Sequence, residues 1–310
     1  MVDLVTGGSG RIGSKLIEEL RKKGKKMRAY VLDCHERFLP QDVQLVVGDV
    51  GNECALGVAC QGVDTVYHLA AIIDYSGNWK KIYEVNVKGT ENVLKAAAKA
   101  GVKRFVYCSS TSAMGKRIPA NANEETECKP TDLYGKSKLE AEKLVEKYAG
   151  KMEVVIVRPT IAYGRGFHDG FGEVLKMLKK GKMFVVGSGK NIIPLVHVDD
   201  IVQALALAGE KKEASGKKFI VCGEDNRSQE ELFKLACEIM EVEPPKKHVP
   251  YLVAKIAAWM MEKWACLRGK QPKIIPEYID VLGISRTYDI SRLKSLGYKQ
   301  KVKLVEGVKD

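Results

Sequence analysis

Tyr134 and Lys138 stand four residues apart in Tyr134-Gly135-Lys136-Ser137-Lys138, at the head of a segment whose pattern predicts a helix running to about Tyr148. On a helix they share one face. A free phenol ionises near pH 10, so Tyr134 moves a proton at neutral pH only where positive charge stabilises the phenolate. The Lys138 ammonium is such a charge. By itself, a tyrosine–lysine pair at this spacing is ordinary helix surface. Its weight comes from Ser109-Ser110-Thr111-Ser112, a hydroxyl cluster directly after the apolar run Arg104 to Cys108. If that run is a strand of an open α/β sheet, the cluster lies at the carboxyl edge, where ligands bind. With Ser110 holding a substrate oxygen beside Tyr134, the three residues can do general acid–base chemistry on a hydroxyl or a carbonyl.

Removing the proton of a secondary alcohol gives a ketone only if a hydride also leaves, and the amino-terminal stretch predicts its carrier. An apolar run from Val2 to Thr6 leads into Gly7-Gly8-Ser9-Gly10-Arg11-Ile12-Gly13, and a helical pattern follows from Ser14 to Lys23. Strand, tight turn and helix in that order are the context of a dinucleotide-binding fingerprint. Gly7 allows the turn, Gly10 lets the backbone approach a pyrophosphate, and Gly13 lets the helix pack close to its strand. The phosphates then rest on the helix N-terminus. Arg11 lies either near the pyrophosphate or on an exposed helix start. Met27 to Leu32 predicts a second strand ending in Asp33, 20 residues after Gly13. There a carboxylate accepts hydrogen bonds from the adenosine ribose and repels a 2′-phosphate. NAD is expected ahead of NADP, with Arg37 arguing the other way. Asp49, after a strand over Gln44–Val47, either holds the adenine amino group or caps the next helix.

The elements that must position these residues alternate. Further strands are expected over Thr65 to Leu69, Arg104 to Cys108 and Val154 to Arg158, with a long helix from Trp79 to Ala100 carrying Asn86. Small residues Ala70 and Ala71 suit backbone passing under a cofactor. Regular alternation predicts an α/β doubly wound parallel sheet. Residues 1–160 form the cofactor-binding domain and 161–310 a smaller C-terminal α/β substrate-binding region, the chain crossing between them more than once. In the second part Lys217 to Cys222 is a strand, and Ser228 with Glu231 forms a capping box. His197 is expected to be structural, and Asp199 and Asp200 to cap a helix from Ile201. Gly164, Gly166, Gly170 and Gly172 mark either a loop folding over substrate or a plain connection. Tyr251 to Leu267 is apolar at helical spacing but too short and too charged to span a bilayer. Core packing is its first expectation, then a lid, then contact with a membrane surface.

Composition narrows the function classes. The chain has 310 residues and a formal charge of +12, but its lysines alternate with glutamates along helices, as on solvated faces rather than a nucleic-acid surface. Eight cysteines without a CxxC pair, and without metal-ligand spacing to the five histidines, predict reduced thiols, a cytoplasmic location and no metal.

So many motifs in order resemble an extended short-chain dehydrogenase/reductase over essentially the whole chain. To those above it adds Asp49-Val50, His68-Leu69-Ala70-Ala71, Asn86-Val87-Lys88-Gly89-Thr90, Arg158-Pro159 and His197-Val198-Asp199-Asp200. The resemblance implies a Rossmann fold with Ser110, Tyr134 and Lys138 as catalytic trio. It implies NAD lying along Gly7, Gly10, Arg11, Ile12, Gly13, Asp33, Asp49, Val50, Leu69, Ala70 and Ala71, with Asn86 buttressing the site and Pro159 at the nicotinamide end. It also implies a homodimer joined through helices near 79–100 and 134–148. Nucleotide-sugar epimerases and dehydratases usually carry a phosphate-binding arginine where this chain has Ile193. His248-Val249-Pro250, the 251–267 segment, Arg286-Thr287-Tyr288-Asp289 and Leu296-Gly297-Tyr298 instead resemble the 3β-hydroxysteroid dehydrogenase and dihydroflavonol reductase-like branch. The expected activity is NAD-dependent interconversion of a secondary alcohol and a ketone. The alternatives are a nucleotide-sugar epimerase or dehydratase and, from another class, a non-catalytic NAD(P)-binding regulatory protein.

Overall fold

A computed structural model describes residues 2–32, 39–75, 77–167, 170–268 and 275–309. Strands β1 (Val2–Thr6), β2 (Lys26–Val31), β3 (Gln44–Val47), β4 (Val63–His68), β5 (Arg104–Cys108) and β6 (Glu153–Pro159) join Lys218–Val221 in one sheet. The spatial order is β3-β2-β1-β4-β5-β6 and then Lys218–Val221, with every pairing parallel. Parallel strands are buried on both faces and so read as apolar runs, as Arg104–Cys108 does with all five residues buried. The order reverses between β1 and β4, where Thr6 registers with His68. Their carboxyl ends form the crevice at a topological switch point.

Helices cover both faces. On one side α1 (Arg11–Lys22) contributes Leu16, Ile17 and Leu20 to a core it shares with Ile201 and Leu205. On the other, α2 (Glu53–Cys60), α4 (Gly89–Lys99) and α5 (Leu133–Glu146) bury Leu56, Val93, Leu94, Ala97, Ala141 and Val145. After residue 160 the chain returns to this sheet, as α7 (Val198–Glu210) and as the edge strand Lys218–Val221. The rest packs around smaller cores with α6 (Phe171–Lys179), α8 (Gln229–Met240), α9 (Tyr251–Leu267) and α10 (Pro276–Gly283). Ser228 and Glu231 form the expected capping box on α8.

Three expectations are corrected. The helix expected over Trp79 to Ala100 is α3 (Trp79–Tyr83), a π-turn over Glu84–Lys88 and then α4. Asp199 and Asp200 do not cap a helix from Ile201. α7 begins three residues earlier, and the His197 ring caps it by accepting from the Asp199 N–H at 3.3 Å. Both carboxylates thus fall in the first turn, favourable to the helix dipole, and Asp199 pairs with Lys15 at 2.7 Å. Finally, α9 has its expected limits but not its expected burial. Only Ala254 and Ala258 are buried, because alanine lets the helix approach α10 closely, while Leu252, Val253, Ile256, Met260, Met261 and Trp264 are exposed.

Candidate active site

The glycine cluster follows β1 at the switch point. Gly7 has φ +68°, and a Cβ there would stand 2.9 Å from the Ala70 backbone nitrogen, so the turn and β4's continuation touch only without a side chain. A Cβ at Gly13 would overlap the Gly7 carbonyl oxygen, which fixes how closely α1 approaches the turn. Gly10 precedes α1 and no side chain caps that helix end. The free helix N-terminus suits a pyrophosphate, and the residues present fit the dinucleotide the fingerprint implies. Arg11 is exposed with its guanidinium 5.1 Å from the centre of the Phe167 ring, and Ile12 packs on the core from the first turn of α1.

Beyond the turn, Leu69 to Ala71 are held by a polar chain. The Thr6 hydroxyl meets His68 Nδ1 at 2.6 Å and accepts from the N–H groups of Leu69 and Ala70 at 3.2 and 3.3 Å. His68 Nε2 meets the Thr90 hydroxyl at 2.9 Å, and that hydroxyl donates to the Asn86 carbonyl at 2.6 Å. With Thr90 donating onward, the proton of the ring belongs on Nε2. Complete burial, helped by Lys138, pushes the His68 pKa down to about 3, so the ring is neutral. Asp33 and Arg37 lie outside the described residues. Asp49 does not cap α2. Its carboxylate accepts from Gly51 N–H at 2.7 Å, and Asn52 is the cap. Val50 is buried against Gly89, and Asn92 donates to its carbonyl.

The trio does converge. Ser110 caps the short 3-10 turn Thr111–Met114 after β5, and its side chain interacts with the Tyr134 hydroxyl. Tyr134 lies in the first turn of α5, whose cap, Asp132, accepts from Gly135 N–H at 2.7 Å. Lys138 is buried one turn later and donates from Nζ to the Cys108 carbonyl at 2.7 Å. Its ammonium sits 4.7 Å from the centre of the Tyr107 ring and 6.0 Å from that of Tyr134. Burial pushes the Lys138 pKa down to about 8. Even with this ammonium nearby, the net shift of the phenol is upward, where the sequence suggested a lowering. Burial, reinforced by Tyr75 and Cys108, raises Tyr134 well above the ordinary value and outweighs the Ser110 hydrogen bond. In this state the phenol is a proton donor. Pro159 ends β6 with its carbonyl accepting from Thr111 Oγ1 at 3.3 Å.

Asn86 was expected to buttress the site; the other supports were not legible in the sequence as parts of it. Asn86 donates to the Ile72 carbonyl and to Ser137 Oγ and accepts from Ile72 N–H, so it ties the loop after β4 to α5. Glu142 accepts from Ser109 Oγ at 2.5 Å and takes both Nε and a terminal nitrogen of Arg158, a fork wholly buried between α5 and β6. Its spacing of four from Lys138 was the available signal. Tyr75 stands edge-on to Tyr134, with centroids 5.8 Å apart, and to Tyr278 of α10 at 6.3 Å. Buried Lys116 lies 3.6 Å from both Asp132 and Asp280. Tyr251 OH and Lys255 Nζ also bond Asp280. Burial raises the Asp280 pKa, but Lys255, Tyr251 and Lys116 outweigh it and hold the carboxyl below its ordinary value.

Residues 4–223 match the NAD dependent epimerase/dehydratase family. The chain is 28% identical over 320 residues to the decarboxylating sterol-4-alpha-carboxylate 3-dehydrogenase of Mus musculus, covering 98% of this chain and 88% of that one. It is 30% identical over 321 residues to the UDP-glucose 4-epimerase of Vibrio cholerae, covering 99% and 93%. Among solved structures, MoeE5 in complex with UDP-glucuronic acid and NAD is similar with a TM-score of 0.79 at 25% identity, over 99% of this chain and 96% of that one. Matched along most of its length by the family and almost end to end by its relatives, the chain belongs to the NAD-dependent epimerase/dehydratase family and is an NAD-dependent enzyme of the extended short-chain dehydrogenase/reductase type.

Proposed function

We propose that this enzyme interconverts a secondary alcohol and a ketone on an apolar carbon frame, with Tyr134 exchanging the hydroxyl proton. The observation that carries the reading is the meeting of Ser110, Tyr134 and Lys138 at the carboxyl edge of the sheet, next to the Gly7–Ala70 contact. NAD, when bound, takes up or supplies the hydride. Gly7, Gly10, Arg11, Ile12 and Gly13 would hold its pyrophosphate, Leu69 to Ala71 would run beneath it, and Pro159 would close the nicotinamide end. Asp33, Asp49 and Val50 would hold the adenosine. Asn86, with its amide occupied by Ile72 and Ser137, supports the site from behind.

In the reducing direction, Tyr134 donates its proton to the carbonyl oxygen while Ser110 fixes that oxygen. A phenol raised by burial holds the proton that this step requires. In the oxidising direction the phenolate must form, and the ammonium of Lys138 is the cation placed to stabilise it. An apolar substrate is supported by the Tyr75–Tyr278 wall beside Tyr134 and by Ile193, which is buried and cannot meet a phosphate. The sterol-type relative points the same way. The epimerase reading rests on the UDP-glucose 4-epimerase relative and uses the same three residues. The division into a cofactor part, 1–160, and a substrate part, 161–310, would hold with α7 and Lys218–Val221 serving the first. A homodimer through the helices near 79–100 and 134–148 and a cytoplasmic setting, the latter supported by seven described free thiols, complete the reading.

The test is to follow nicotinamide reduction by the purified enzyme with NAD and panels of 3β-hydroxysteroids and UDP-sugars. Steroid-dependent reduction abolished by Tyr134→Phe is expected. Epimerisation of a UDP-sugar without net reduction would replace the dehydrogenase reading. Turnover that survives Tyr134→Phe would overturn the mechanism.

A further inference from the structure

α9 is turned inside out relative to an ordinary surface helix. Such a helix hides its large apolar side chains and shows polar ones. Here Ala254 and Ala258 face inward, in a small core with Val186 and Ile279. The opposite face shows Leu252, Ile256, Trp259, Met260, Trp264 and Leu267, each between 53% and 86% exposed. The helix is not a loosely attached flap, because Tyr251 and Lys255 are bonded to Asp280 of α10. The outward face is therefore presented in a fixed direction. Among the described residues no helix is long and apolar enough to cross a membrane.

We propose that this face of α9 docks the enzyme on the surface of an anionic lipid bilayer, lying in the interface with its axis along the membrane plane. Three observations choose lipid over a second copy of the chain. Two of the six outward residues are tryptophans, side chains that favour the boundary between headgroups and acyl chains, and Arg268 stacks on Trp264 with its guanidinium carbon 3.7 Å from the ring centre. Lys263 and Arg268, at the carboxyl end of α9, bring positive charge suited to anionic headgroups to this face. Lys263, by its helical position, rises from the apolar stripe itself, between Leu252 and Ile256 in angular order. Against a second α9 its ammonium would be buried without a carboxylate on that face. At a bilayer its stem lies along the apolar region while the charge reaches the phosphates. The inference is independent of which alcohol the enzyme oxidises.

The experiment is flotation of the full-length protein with vesicles of phosphatidylcholine alone and with added phosphatidylglycerol. The wild type should float with the anionic vesicles, less with the neutral ones, and less again as salt rises. Trp259→Glu combined with Trp264→Glu should weaken binding at least ~10-fold while NAD affinity stays unchanged, which shows that the variant is folded. Independently of any variant, brominated lipid should quench wild-type tryptophan emission. Failure of the wild type to float or to be quenched overturns the proposal. So does flotation unchanged in the double variant, or a dimer in solution that the double variant dissociates, which would assign the face to a second copy.

Discussion

Helices α5 and α9 are both long elements bordering the same site, yet they are held in opposite ways. α5 is fixed by directional bonds from several sides: Asp132 caps it, Asn86 grips Ser137, Lys138 reaches the Cys108 carbonyl, and Glu142 forks with Arg158. Nearly all of these groups are buried, so each bond has a demanding geometry and a large cost if broken. α9 instead rests on two alanines and one polar junction at Asp280. The element that carries the chemistry is located to within a hydrogen bond. The element that presents a surface is attached by close packing and leaves its large side chains uncommitted.

The largest effect that would break this contrast is at the chemistry. Tyr134→Phe should lower turnover by about 10²–10⁴-fold with NAD affinity within about threefold, as measured by steady-state kinetics and nucleotide titration. A small loss would mean that the tight framing of α5 serves stability alone. Next is the buried fork. Arg158→Met leaves Glu142 charged and unpaired and should cost about 3–5 kcal/mol by chemical denaturation. Adding Glu142→Leu should recover most of that loss, and its failure to do so would mean that Ser109 or packing, rather than charge, ties α5 to the sheet.

A smaller effect is pH-dependent. His68 is neutral in the fold with its pKa near 3, against 6.5 when unperturbed. As pH falls below 6.5 the unfolded chain takes up a proton that the folded one refuses, so stability is lost on acidification, and fully present above 6.5. The gap between wild type and His68→Asn should shrink by about 1.4 kcal/mol per pH unit between about pH 6 and about pH 4. A flat difference would show that water reaches the ring. The smallest effect belongs to the junction under α9. Asp280→Asn keeps hydrogen-bonding capacity but loses the charge facing Lys116 and Lys255, and should cost about 1–2 kcal/mol in thermal unfolding. A larger loss would place this junction in the same class as the Glu142 fork.

Those contrasts also explain what could be read in advance. The sheet was legible because its signals are local: Gln44–Val47 and Arg104–Cys108 have the limits their apolar runs predicted. The trio and the glycine turn were legible because their spacing is characteristic, four residues for Tyr134 and Lys138, three and three for Gly7, Gly10 and Gly13. The Lys116–Asp132–Asp280 junction was not, since its members are distant in sequence and meet only by folding. The sense of α9 was hidden for a different reason. Its periodicity marks an apolar stripe, but the alanines on the other face are apolar too, and pattern does not say which face goes in. The elevated Tyr134 pKa was missed because spacing reveals a neighbouring charge but not the dehydration that opposes it.

The π-turn at Glu84–Lys88 bears on how this chain tolerates changes in its length. A wider turn holds one residue more than an α-helix needs. Deleting one residue there would tighten it to an ordinary α-turn while leaving the helical segments on either side close to their present phase. Ile82, fully buried before the turn, would keep its pocket, whereas Asn86, inside the turn, would be displaced from Ile72 and Ser137. A change of one residue in length is thus absorbed locally, and a chain shortened by one residue between 84 and 88 should keep its fold while losing the bonds of Asn86.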